Sequence, residues 1–276
     1  MAHQTNLLDL RDAHGGAPGV HADGGGHAHP ARRPVAHGFV HSKEAGGAVD
    51  GPGIRYVLFV SGCPLRCLYC HNPDTWHMRK GKETSVNEIV AEMASYSNFL
   101  KRAKGGITIT GGEPLTQVEF TAEIFHAAKA MGLHTALDTS GFLGKRVTDE
   151  MLEDIDLVLL DIKAFTEETY FEVTGAQLQP TLDFARRLSA KGKKIWLRYV
   201  LVPGLTDKLD EIEGLAAFAA ELGVVERVDV LPFHKLGEFK WKECGREYKL
   251  AETEPPSHEL VEQVRSIFRG HGLKAG

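Results

Sequence analysis

Three cysteines, Cys63, Cys67 and Cys70, stand at C-x3-C-x2-C spacing, directly after the apolar run Tyr56-Val57-Leu58-Phe59-Val60. Three thiolates on one short loop can bind three irons of a [4Fe–4S] cube, and such cubes usually take four cysteines. The fourth cysteine of the chain, Cys244, lies far away in the sequence and reads as an ordinary thiol. A cube held by this loop therefore keeps one iron open to another ligand, which is what reaction at a metal requires. Two other readings use the same residues. One is a Cys3His zinc site with His71 as the fourth ligand. The other is a redox pair at Cys67-x-x-Cys70, which has no use for Cys63. A structural disulfide fits least, because the dense cysteine framework of small secreted domains is missing.

Other residues able to do chemistry recur where apolar runs end. They are Gly111-Gly112-Glu113-Pro114, Leu137-Asp138-Thr139-Ser140-Gly141, Leu160-Asp161-Ile162-Lys163 and Pro232-Phe233-His234. A GGEP stretch alone is only a strand-ending turn, but its glycines also let a ligand approach the backbone closely. Asp138 and Asp161 read either as caps and a surface ion pair or as two carboxylates facing one pocket. His234 reads either as a satisfied core histidine or as a stacking partner of a cofactor. Asp50-Gly51-Pro52-Gly53 is turn chemistry leading into the first strand.

The elements that must position these residues alternate short strands with amphipathic helices. Strands are predicted at 56–61, 107–110, 134–138, 157–162, 195–202 and 227–231. Helices are predicted at 86–101, with Ser85 and Glu88 as a capping box, at 117–131, with Thr116 and Glu119 as the capping pair and Gly132 as the stop, and at 258–269. Six strand–helix alternations imply an α/β fold whose parallel sheet is open or curled into a partial barrel. Sites in such folds gather at the carboxyl ends of the strands, where the polar motifs of this sequence sit.

The 276 residues suffice for one large domain or two small ones, and 42% hydrophobic with 25% charged residues fits an ordinary globular protein. Residues 1–37 are rich in Gly, Ala and His with few core-forming side chains, so they read as a disordered extension before a domain at 38–276. The net charge of −5, with no basic stretch interleaved with aromatics, speaks against nucleic acid. No run of about 18 apolar residues is present to span a membrane. The N-terminus has no apolar stretch of the secretory kind, so a cytoplasmic protein is expected.

In order, Asp50-Gly51-Pro52-Gly53-Ile54-Arg55, the cysteine stretch to Asn72 with Asp74-Thr75-Trp76, Leu137-Asp138-Thr139-Ser140-Gly141, Trp196-Leu197-Arg198-Tyr199-Val200-Leu201-Val202-Pro203-Gly204 and Leu231-Pro232-Phe233-His234-Lys235-Leu236-Gly237 are distinctive together. This order resembles the radical S-adenosylmethionine (SAM) enzymes and, within them, the activases of glycyl radical enzymes that serve pyruvate formate-lyase. The likeness spans about residues 38–270; Thr110 before the GGE and Pro114 after it depart from that pattern without weakening the wider match.

The resemblance implies a partial (β/α)6 barrel and a [4Fe–4S] cluster on Cys63, Cys67 and Cys70, whose open iron takes the methionyl amine and carboxylate of SAM. Reductive cleavage then gives methionine and a 5′-deoxyadenosyl radical, which makes a glycyl radical on pyruvate formate-lyase. It implies SAM contacts from Tyr69, Cys70 and His71, from Gly111, Gly112 and Glu113, from Asp161, Ile162, Lys163, Ala164 and Phe165, and from His234. It also implies a monovalent cation, Na+ or K+, beside the SAM carboxylate, held by Asp138, Thr139, Asp161 and the carbonyl of Leu159. Asp50 would contact the substrate's glycine loop, and Arg198 is placed to donate to that loop's carbonyls. A flavodoxin or ferredoxin would supply electrons to a monomer. Activation of a sibling glycyl radical enzyme, or radical chemistry on a small molecule, are the alternatives. Residues 72–111 contain no cysteine, so the second cluster of several sibling activases does not fit.

Replacing any one of Cys63, Cys67 or Cys70 by Ala is expected to abolish SAM cleavage, followed as 5′-deoxyadenosine formation, whereas Cys244→Ala leaves it intact. Loss of cleavage on removing Cys244 alone would sink the three-ligand cluster.

Overall fold

The computed structural model describes residues 36–276. The N-terminal extension assigned from composition lies, but for its last two residues, outside the described residues. Eight strands form one sheet in the order β3-β1-β2-β4-β5-β6-β7-β8. They are β1 (His37–Gly47), β2 (Arg55–Val60), β3 (Lys82–Ser85), β4 (Gly106–Gly111), β5 (His134–Thr139), β6 (Leu157–Asp161), β7 (Lys194–Leu201) and β8 (Val225–Pro232). The six from β2 to β8, β3 apart, run parallel, while β1 lies antiparallel to both β2 and β3. The sheet does not close; β3 and β8 are its edges. Residues of the C-terminus cover the outer edge of β8, where Val228 N donates to Lys274 O (2.8 Å) and Gly276 N to Val228 O (3.0 Å), which blunts an otherwise unpaired strand.

Helices α1 (Val86–Arg102), α2 (Val118–Ala130), α3 (Asp149–Glu153), α4 (Glu167–Thr174), α5 (Gln179–Ala190), α6 (Leu209–Glu221), α7 (Glu238–Glu243) and α8 (His258–Gly270) complete the described fold. Strands β2 and β6 are almost wholly apolar and buried, as parallel strands covered on both faces must be. All six expected strands are present, their ends shifted by a residue or two. The antiparallel pair β1 and β3 went unforeseen because β1 is mostly exposed and polar, with two register breaks that interrupt its alternation.

The Ser85–Glu88 capping box opens α1 as expected: Glu88 N donates to Ser85 Oγ (3.2 Å) and Ser85 N to Glu88 Oε2 (2.8 Å). The expected Thr116–Glu119 pair does not form. Pro114 starts a short 3-10 turn, Pro114–Gln117, and Thr116 lies within it, its hydroxyl donating to Glu113 O at 2.7 Å. α2 then begins one residue later than expected, at Val118. The Gln117 amide instead ties β1 to the end of β2, donating to Phe39 O and Ser61 O at 2.9 Å each. Gly132, at φ +70°, ends α2 in the left-handed conformation that favours glycine.

Arg55 is fully buried at the start of β2. Its guanidinium donates to Thr108 Oγ1 (2.9 Å), Pro52 O (3.3 Å), His134 O (3.3 Å) and Ile107 O, and it meets His134 Nδ1 at 3.2 Å. Thr108 in turn donates to Asp50 O at 2.6 Å, so the 50–53 turn is lashed beneath β2 and β4. Burial lowers the Arg55 pKa to about 10, which still leaves it charged at neutral pH. Arg55→Met is expected to cost on the order of 3 kcal/mol in urea unfolding, because several buried carbonyls lose their donor. Arg55→Lys recovers only part of this, since an ammonium cannot reproduce the planar fork. An unchanged midpoint for Arg55→Met would show that the clamp is dispensable.

Candidate active site

The carboxyl ends of the parallel strands surround a cavity of about 450 Å³, within the range of small-ligand sites. Cys63, Cys67, Tyr69, Cys70 and His71 line it from the cysteine loop, and Gly111, Gly112, Glu113, Asp138, Thr139, Asp161, Lys163, Arg198 and His234 from the strand ends, with Asp50 also at its wall. The other residues assigned from the resemblance are not on this wall. Leu159, Ile162 and Ala164 are buried, and the Phe165 ring packs on Phe218 at 5.6 Å. Their backbone remains the part able to serve a ligand.

The cysteine loop has little regular structure of its own and is pinned by its neighbours. Gly62 N donates to Thr75 O (2.7 Å), Arg66 N to Thr174 O (2.8 Å) and Leu68 N to Val173 O (2.9 Å). On the far side the Trp241 indole of α7 donates to Cys70 O at 2.8 Å. Trp241 escaped the sequence reading; the only signal is an aromatic among charges, and its target lies far back in the chain.

All three thiols are free and half-buried. Burial drives their pKa values up, to about 12 for Cys67, where the nearby Lys163 ammonium pulls the other way. Such thiols ionise at neutral pH only by giving their protons up to a bound metal. Among the described residues no three His, Cys, Asp or Glu groups gather as ligands of one ion. A cube asks something different, one cysteine for each of three irons, and three thiols facing one cavity fit it. His71, the fourth ligand of the zinc reading, turns Nε2 to His234 O at 3.2 Å, and its ring lies 4.3 Å from that of His234.

Glu113 is buried at the end of β4, and both of its oxygens are taken. Oε1 accepts from Thr139 Oγ1 (2.6 Å) and Leu115 N (3.2 Å), and Oε2 from Ser140 Oγ (2.6 Å) and Ser140 N (3.0 Å). Four bonds use the capacity of a carboxylate. Burial nevertheless raises its pKa, against the pull of the Ser140 and Thr139 donors. The side chain thus locks the GGEP turn to the end of β5, and the neighbouring backbone is left to face the cavity.

Two acid–base pairs follow along the strand ends. Arg198 Nη1 donates to Asp138 Oδ2 at 2.9 Å, which also accepts from Thr110 Oγ1 at 2.7 Å. Asp138 Oδ1 is buried with no hydrogen-bond partner among the described residues. Lys163 Nζ lies 3.2 Å from Asp161 Oδ2 and 5.9 Å from the centroid of the buried Tyr69 ring. Desolvation raises the Asp138 pKa although Arg198 opposes it, and Asp138 holds Arg198 firmly cationic. Asp50, half-buried, is also raised by desolvation, with Arg198 again opposing.

The model of the radical SAM superfamily matches residues 57–219, and the chain belongs to that superfamily. The pyruvate formate-lyase 1-activating enzyme of Escherichia coli (strain K12) is 44% identical over 239 residues, which make up 86% of this chain and 97% of that protein. The pyruvate formate-lyase-activating enzymes of Staphylococcus epidermidis and Listeria monocytogenes are 43% and 42% identical, covering 96% and 98% of those proteins and 85% and 86% of this chain. Within the superfamily the chain therefore belongs to the pyruvate formate-lyase activating enzymes. Among solved structures, a domain of pyruvate-formate lyase-activating enzyme from Bacteroides vulgatus aligns with TM-score 0.53 at 27% identity, over 62% of this chain and 98% of that one. Streptococcus suis SuiB, at TM-score 0.61 and 16% identity over 82% of this chain and 48% of that one, shares the fold.

Glu113→Gln is expected to destabilise the cofactor-free protein by about 1–3 kcal/mol, since an amide NH2 would face donors that now meet an oxygen. Urea unfolding checks this. A side chain that served only the ligand would leave the cofactor-free midpoint where it is.

Proposed function

We propose that this chain activates pyruvate formate-lyase by generating a glycyl radical on it, and the observation that carries the reading is the single cavity in which three unpaired thiols face two acid–base pairs at neighbouring strand ends. When bound, a [4Fe–4S] cluster supplies the electron that cleaves SAM to methionine and a 5′-deoxyadenosyl radical able to take a hydrogen atom from a glycine Cα. Cys63, Cys67 and Cys70 would hold that cluster. The backbone at Gly111 and Gly112 would receive the methionyl amine, with Glu113 fixing the turn rather than touching the ligand. Lys163, with its ammonium between Asp161 and the thiols, would face the methionyl carboxylate. The backbone of residues 162–165 and the paired imidazoles of His71 and His234 would flank the nucleoside. Tyr69, buried beside them, would complete the wall.

The unpartnered Asp138 Oδ1 supports a monovalent cation, Na+ or K+, shared with Thr139, Asp161 and the carbonyl of Leu159. Oxygen ligands of this kind suit a hard ion, and an ion there would offset the repulsion between two aspartates and a substrate carboxylate. Asp50 and Arg198 suit an extended peptide, the carboxylate accepting from its N–H groups and the guanidinium donating to its carbonyls. A glycine gives up its Cα hydrogen readily, because both flanking amides stabilise the radical, and it offers only backbone to be read. The flexible loop that carries it must leave its own core first. The reading also includes an electron from a flavodoxin or ferredoxin, a monomeric protein and a reducing cytoplasm in which free thiols persist. Among the described residues no helix is long and apolar enough to cross a membrane.

Anaerobic incubation with SAM, dithionite and pyruvate formate-lyase is expected to produce the EPR doublet of a glycyl radical on the lyase. Asp50→Ala should keep SAM cleavage yet lower radical formation on the order of tenfold or more, the worth of hydrogen bonds to a charged group. Wild-type protein that turns over SAM but leaves the lyase radical-free would move the assignment to a sibling glycyl radical enzyme. Stripping monovalent cations should weaken SAM binding in calorimetry, and Asp138→Asn should remove that dependence; unchanged binding in stripped buffer would exclude the ion.

A further inference from the structure

Each of the three cysteines is anchored by a different part of the chain. Cys63 N donates to Trp76 O at 3.2 Å, and the flanks of Cys67 are tied to the end of α4, Arg66 N to Thr174 O (2.8 Å) and Leu68 N to Val173 O (2.9 Å). Cys70 is held from α7: the Trp241 indole donates to Cys70 O at 2.8 Å across 171 positions of sequence. The residues that follow Cys70 are held from the same place. Lys240 Nζ donates to Asn72 Oδ1 at 2.7 Å and lies 3.5 Å from Asp74 Oδ2. Gly237 sits so close to His71 that a Cβ there would lie 2.6 Å from His71 Cα and 2.9 Å from its carbonyl oxygen. Its φ of −90° lies outside the left-handed region, so close approach rather than conformation calls for glycine. Trp241 itself is 6% exposed, edge-on to Trp76 at 5.2 Å and against the Tyr248 ring at 5.3 Å. These rings belong to a small apolar cluster on which Cys63, Cys67 and Cys70 pack, set apart from the main core.

We infer that α7 is a clamp on Cys70, with Trp241, Lys240 and Gly237 as positioning residues that act through the cysteine loop, an inference that rests on the cluster reading above. Three thiols can serve three irons of one cube only at fixed spacing, and the groups behind the ligands set that spacing. A six-residue helix is too short to persist alone, so α7 keeps its place through Trp241 and the apolar cluster around it. Because that cluster is separate from the main core, the clamp can open while the sheet stays folded. Cys70 is then the ligand that loosens, and Cys63, with its own anchor at Trp76 O, the one that stays.

The test follows the three thiols one by one. Metal-free protein is treated with N-ethylmaleimide, and the rate of modification of each cysteine is read by mass spectrometry. Trp241→Phe keeps a ring in place but removes the indole N–H, and should speed modification of Cys70 by about tenfold while Cys63 keeps its wild-type rate. Lys240→Met should act in the same direction, and Lys240→Arg, which retains a donor, should return Cys70 to the wild-type rate. In protein reconstituted with iron and sulfide, Trp241→Phe and Lys240→Met should release iron to a chelator faster than wild type or Lys240→Arg. Equal acceleration of Cys63 and Cys70 would mark a general loosening and overturn the clamp. So would a Cys70 rate indifferent to both Trp241→Phe and Lys240→Met, a Lys240→Arg protein no better than Lys240→Met, or iron release that no variant changes. Wild-type protein that assembles no cluster would instead defeat the cluster reading, and the modification rates of the metal-free protein still decide the clamp.

Discussion

Four ionisable side chains, Asp138, Asp161, Lys163 and Arg198, are largely withdrawn from water toward the carboxyl ends of β5, β6 and β7, and their pairing is what the site depends on. Side-chain exposures are 10%, 17%, 15% and 21% respectively. Withdrawing such groups from water costs several kcal/mol each, and pairing offsets that cost only when the geometry is good. Arg198 of β7 reaches past β6 to Asp138 of β5, and Lys163 pairs with Asp161 two residues before it. Pairs of this kind are poor devices for stability but good ones for holding charge at a fixed place. One acceptor, Asp138 Oδ1, is left without a hydrogen-bond partner among the described residues.

The same burial governs the thiols. Desolvation lifts all three above the ordinary thiol range, and the Lys163 ammonium opposes it at Cys67 and Cys70. Without metal the loop holds neutral thiols. A bound cluster would take them as thiolates in a setting that already contains a cation, and nearby charge is one of the levers that set the potential of such clusters. Desolvation would lower the pKa of that ammonium, and the neighbouring Asp161 carboxylate acts against it and raises it. Lys163 thus couples the carboxylate end of the cavity to the sulfur end.

What the chain disclosed before folding follows from range. The C-x3-C-x2-C spacing, the six core strands and the polar residues at their ends are local patterns, and the structure brings Cys63, Cys67, Cys70, Asp138, Asp161, Lys163, Arg198 and His234 to one cavity wall. Interactions between distant segments were silent. The partners of Glu113 lie at Thr139 and Ser140, those of Arg55 at Thr108 and His134, and the indole over Cys70 comes from Trp241. No periodicity encodes a hydrogen bond between strand ends. That is why Glu113, suggested by the resemblance as a ligand contact, turns out with both oxygens committed to the protein. The start of α2 moved for a local reason of a different kind, the proline that begins a 3-10 turn where a capping pair was expected.

A three-cysteine loop and an open iron make one demand that no other reading of this chain shares. Mössbauer spectra of the 57Fe-reconstituted protein, taken before and after SAM is added, test it most directly. A cube held by Cys63, Cys67 and Cys70 predicts that about one quarter of the iron absorption moves to a higher isomer shift when SAM binds, while the rest stays in place. Iron whose spectrum is unchanged by SAM would contradict the open-iron site.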